Sequence, residues 1–132
     1  MTEVFIDASA LLRYLLNDVP KQADQVEGLF DKAEACELRL VTNSHVMAEL
    51  VGMLSSGYKV SRTLIRQQLE SLIHTPGISV VDGRLLLAAL KDFEENNVDF
   101  SDAYAVAWMK ARGVGELASF DQDEKGFSGL QP

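Results

Sequence analysis

Apolar residues recur along this chain in two rhythms. Four short runs, "EVFI" (3–6), "LRLVT" (38–42), "ISVV" (78–81) and "ELASF" (116–120), have the bulky composition of short buried strands. Between them the spacing becomes helical. Leu11, Leu12, Leu15 and Leu16 share one side of "ASALLRYLL", and Ala23, Val26, Leu29, Phe30 and Ala33 share one face of a helix over about 20–35 that Pro20 opens. Val46, Met47, Leu50, Val51 and Leu54 mark a helix over about 44–56; Leu64, Ile65, Leu69, Leu72 and Ile73 mark another, with Ser61 as its cap. "DGRLLLAALKDFEENN" reads as a further helix capped by Asp82, and "DAYAVAWMKARG" as one capped by Ser101 and ended by Gly113. "NDVPK", "SSGYK" and "TPG" punctuate the pattern.

Strands separated by single or paired helices predict an α/β fold around a mainly parallel sheet. With no repeat, linker or low-complexity tract, residues 1–132 form one domain. Right-handed crossovers leave the carboxyl ends of parallel strands on one edge, where ligands bind at the switch point of strand order. Asp7 and Asp121 each follow directly on an expected strand and should face that crevice.

Composition narrows the field. An apolar fraction of 47% and a charged fraction of 24% are those of an ordinary globular protein. The single cysteine, Cys36, excludes an internal disulfide and a thiolate cluster, and His45 and His74 read as structural. No apolar run reaches membrane-span length and no basic leader precedes a hydrophobic core, so the expectation is a soluble, unexported, cytoplasmic protein. A net charge of −8 argues against a broad electrostatic grip on nucleic acid. Concentrated carboxylates nonetheless become tolerable around a cation.

Each acid has an ordinary reading. Asp7 can be a helix N-cap, Asp102 an acid favoured by a helix dipole, Asp121 and Asp123 turn residues, and Glu49 a solvated charge. Two features favour more. The helix led by Asp102 is apolar on nearly every side, which predicts that it is packed all round, and Glu49 lies at the margin of its apolar face. In a doubly wound topology Asp7, Glu49, Asp102 and Asp121 can also meet at one edge of the sheet. Carboxylates without Cys or His partners make an oxygen-only site suited to Mg²⁺ or Mn²⁺.

In "VFIDASALLRYL", "SHVMAELVGML", "VDFSDAYAVAWMKARG" and "LASFDQDEKGF" the chain resembles the PIN-domain family, particularly its VapC-like toxins, over nearly its whole length. The resemblance implies a three-layer sandwich with a central, mainly parallel sheet and a metal-dependent endoribonuclease site. Asp7, Glu49, Asp102 and Asp121 would hold Mg²⁺ or Mn²⁺, with Ser9 and Ser119 steadying them and Asp99 and Asp123 as auxiliary acids; for Asp99 a capping role serves equally well. It also implies an RNA substrate, a cognate antitoxin and a homodimer. Arg13, Arg62, Arg66 and Lys125 are candidate RNA contacts, although solvated charge explains each. The chain ends soon after the fourth motif, which leaves little for an edge strand there.

An alternative keeps the fold and uses it as a non-catalytic protein-binding scaffold; the presence of all four acids speaks against it. A phosphoacceptor receiver domain is rejected, because only Asp7 follows the first strand and no lysine follows a late one.

Overall fold

A computed structural model describes residues 1–120. In chain order the elements are β1 (Thr2–Phe5), α1 (Ala8–Leu16), α2 (Pro20–Glu34), β2 (Leu38–Thr42), α3 (Ser44–Gly52), a π-helical turn (Met53–Gly57), α4 (Arg62–Ile73), β3 (Ile78–Val80), α5 (Gly83–Glu95) and α6 (Phe100–Arg112). The strands form a parallel sheet in the order β1-β2-β3. This is the expected α/β architecture, a parallel sheet flanked by helices.

Registers of Val4 against Leu40 and Leu40 against Ile78 put alternate residues on one face. Leu38, Leu40 and Thr42 are buried on it, with Val4, Ile78 and Val80 half-buried alongside. Glu3, Phe5, Arg39 and Ser79, on the opposite face, are exposed, so β1 is not the fully buried strand its composition suggests. Against the inner face Leu11, Met47, Leu50, Leu54, Ile65, Leu69, Leu86 and Leu90 close the core with no measurable exposure. Apart from Leu86 and Leu90, these are positions whose helical spacing predicts an apolar stripe.

Local chemistry sets the boundaries. Asn17 ends α1 in the left-handed region at φ 52°, its N–H on the Arg13 carbonyl, and Pro20 opens α2. Asn43 caps α3 and Ser61 caps α4 through their side-chain oxygens. Gly77 enters β3 at φ +89°, and a Cβ there would lie 2.7 Å from the backbone of Ala33 at the end of α2. Only glycine satisfies both conditions. Arg62 ties α4 to the following helices: Nη1 donates to the carbonyls of Phe93 (2.7 Å) and Val98 (2.6 Å), and the guanidinium lies over the Phe93 ring.

Several expectations are corrected. The helix expected to run to about 56 gives way to the π turn at Met53. Asp99 rather than Ser101 caps α6, its carboxylate accepting from the Ser101 N–H at 3.2 Å. Asp82 holds the cap position of α5 at φ 62° without a capping bond. α6 is not packed all round: Phe100, Ala103 and Met109 are buried, while Trp108 is 39% exposed. Residues 116–120 form no strand, since Leu117 and Ser119 are only half-buried and their neighbours exposed. An apolar run becomes a strand only where a partner strand meets it. Without a fourth strand the described order never reverses, so the expected switch point is absent among the described residues.

Candidate active site

The carboxyl edge of the sheet is built twice on one plan. β1 hands over to α1 through Asp7, and β2 to α3 through Asn43, each capping the helix it precedes. Oδ1 of Asp7 accepts from the Ser9 hydroxyl at 2.9 Å and the Ala10 N–H at 3.0 Å. The Ala10 N–H, and after it the Ser9 hydroxyl, hold the Asp7 carboxyl below the usual carboxylate range. Asp7 is thus an exposed, firmly ionised carboxylate on a rigid strand end. The cap reading of Asp7 is therefore correct, and it is compatible with a second role. At the end of β2 Thr42 is 2% exposed, and its hydroxyl has no hydrogen-bond partner among the described residues.

Glu49 lies in the second turn of α3, its side chain 49% exposed and 3.6 Å from Nε2 of His45. Asp102 lies in the first turn of α6 and is half-buried. α3 packs against both α1 and α6. Between α3 and α6 a cavity of about 200 Å³ is lined by Ser44, His45, Ala48, Phe100, Ser101 and Tyr104. Its lining includes Ala48 and Ser101, the chain neighbours of Glu49 and Asp102.

Packing between these helices does not make a closed cage. Among the described residues no three His, Cys, Asp or Glu side chains are grouped so as to hold a metal ion. Asp121 and Asp123 lie outside the described residues, as does Lys125. Ser119 is half-buried in the irregular segment before them, and Asp99 is occupied as a cap. The donor types fit a hard divalent cation, being carboxylate oxygens with one kept ionised.

The three arginines considered for RNA are engaged within the protein. Arg13 donates to both Asp18 oxygens (2.7 and 2.8 Å) and to the Tyr58 hydroxyl; Arg66 pairs with Glu70, Glu94 and Glu95; Arg62 holds its two carbonyls. The roomier cavity beside Arg66, about 590 Å³ between α4 and α5, has none of Asp7, Glu49 and Asp102 in its lining.

Comparison with known proteins addresses the family directly. The family pattern of the PIN domain matches residues 4–129, which takes in all four predicted acids. The chain belongs to the PIN-domain family. A curated relative of this PIN domain, "VapC ribonuclease" from Aquifex aeolicus (strain VF5), is 26% identical over 129 residues, covering 96% of this chain and 95% of the relative. No solved structure matches it significantly.

Sequence reading missed three features of the PIN domain's edge. Asn43 repeats the Asp7 position, a parallel visible in "VFIDAS" beside "LVTNSH". Tyr104 reads as core in an apolar helix, yet it is half-buried at the cavity and donates to Oδ2 of Asp82 at 3.4 Å. His45 looks like a lone surface residue until the helix turn sets it beside Glu49.

Proposed function

We propose that this PIN domain is a metal-dependent endoribonuclease that hydrolyses RNA phosphodiester bonds, and that it is the toxin of a type II toxin–antitoxin pair. The observation that carries this reading is the near end-to-end alignment with a relative named a ribonuclease, together with a family match that includes Asp7, Glu49, Asp102 and Asp121. The packing of α3, which carries Glu49, against both α1 and α6 supports it. Asp7, Glu49, Asp102 and Asp121 would hold Mg²⁺ or Mn²⁺, for which their oxygens are suited. When bound, such an ion offsets phosphate charge and lowers the pKa of water.

The chain's own contribution is orientation. Ser9 fixes the Asp7 carboxylate and the α1 backbone keeps it ionised, so no proton must leave before a cation binds. Asp99 sets the first turn of α6 and with it the direction of Asp102. Ser119 would steady Asp121, with Asp123 auxiliary to it. The reading includes RNA as substrate, an antitoxin as partner, and a homodimer in the cytoplasm. No helix among the described residues is long and apolar enough to cross a membrane.

The test is cleavage of RNA by the purified chain. Mg²⁺ or Mn²⁺ should support cleavage leaving 5′-phosphate ends, EDTA should abolish it, and Asp102→Asn should be inactive. Cleavage indifferent to EDTA and to the substitution would overturn the reading. A folded chain that neither cuts RNA nor takes up Mn²⁺ would be the scaffold instead.

A further inference from the structure

The cavity between α3 and α6 is lined by Ala48 and Ser101, the chain neighbours of two acids proposed to hold a cation. We propose that it receives one unpaired base of the RNA substrate, next to the phosphate that is cut. This deepens the nuclease reading and rests on it.

Size and lining carry the proposal. About 200 Å³ is below the ~300 Å³ at which pockets begin to hold drug-sized ligands, and suits a single flat ring system. Phe100 is buried to 5% exposure at the base of α6, and Tyr104 supplies a second, half-buried aromatic ring. The Tyr104 hydroxyl is tethered to Asp82, which limits how the ring can turn away. Unpaired RNA bases are recognised by stacking on such rings and by hydrogen bonds to their edges. The hydroxyls of Ser44 and Ser101 and the imidazole of His45 are the lining groups able to make those bonds.

Charge points the same way. At −8 overall, and with Arg13, Arg62 and Arg66 engaged internally, fewer of the twelve basic side chains are left to grip phosphates. Uncharged contacts, stacking among them, would then add to affinity and register for RNA.

Fluorescein-labelled hexaribonucleotides of A, C, G or U would be titrated in Mg²⁺ against the full chain carrying Asp7→Asn, which keeps them intact. Adding Tyr104→Leu should weaken binding by about tenfold or more and flatten preference among the four, whereas Tyr104→Phe should keep most of the affinity. His45→Ala and Ser101→Ala, both at exposed positions, should each alter the cut-site preference of the otherwise wild-type enzyme; they carry the test if Tyr104→Leu fails to melt cooperatively. Unchanged affinity and preference in these variants, beside a wild type that cuts RNA, would overturn the pocket and leave the nuclease. A wild type that neither binds nor cuts RNA would overturn both.

Discussion

Asp7 caps α1 through one carboxylate oxygen, and an amide oxygen caps α3 from the matching place at Asn43. Asp7→Asn should therefore fold with a urea midpoint close to wild type, since the two residues cap about equally well, while losing RNA cleavage. Asp7→Ala should lose cleavage and also about 1 kcal/mol of stability. Both variants matching wild type in cleavage would restrict Asp7 to capping. The charge has its own signature in acid. The folded pKa of Asp7 lies below the ordinary 3.8, so its stabilisation is present above that value and is lost as pH falls through the lower one. Any advantage of wild type over Asp7→Asn in acid melts should accordingly vanish only below about pH 3.8. Ser9→Ala removes the hydroxyl that orients the carboxylate, and is expected to weaken Mn²⁺ binding by about tenfold with the fold intact. Calorimetric titration of the metal measures it.

Helices carried the clearest signal in the sequence, because a stripe at Leu64, Ile65, Leu69 and Leu72 can face a core in only one way. Strand composition was informative at 38–42 and misleading at 116–120, since local apolarity says nothing of a partner. Ends were legible to within a residue or two: Asp99 and Ser101 are both good caps, and which one serves depends on where the chain turns after Val98. Arg62 makes that turn. Long-range bonds from Nη1 to Phe93 and Val98 leave no trace in spacing, so the residue reads as surface charge. Arg62→Leu would strand two carbonyls and release the corner that leads into α6. A loss of about 2 kcal/mol in urea unfolding is expected. Arg62→Lys should recover only part of it, because an ammonium lacks the planar fork. Catalysis should fall further than stability, since Asp102 rides on the first turn of the loosened helix.

At the scale of the whole molecule, the donor chemistry of the site was readable before its geometry. Acids at 7, 49, 102 and 121 announce oxygen ligands, but chain order cannot say how near their side chains approach, and the described residues include no three-ligand group. Cavity residues such as Tyr104 stayed hidden because helix faces point two ways until the packing is known. Packing also depends on Gly77, where β3 passes the end of α2. Gly77→Ala combines a left-handed backbone with a 2.7 Å clash, and should cost about 2 kcal/mol or more, read as a lowered thermal midpoint.

The π turn at Met53–Gly57 closes through the Tyr58 N–H on the Met53 carbonyl, one residue wider than an α turn. The chain thus holds a spare residue between α3 and α4. Deleting Ser56 would let the helix wind regularly and swing everything beyond it by about 100° around the axis. Tyr58 would then lose Arg13, which reaches it at 3.3 Å, and with it the link from the first crossover to the second. In this sense the bulge works as a spacer that keys two halves of the sheet's covering to each other.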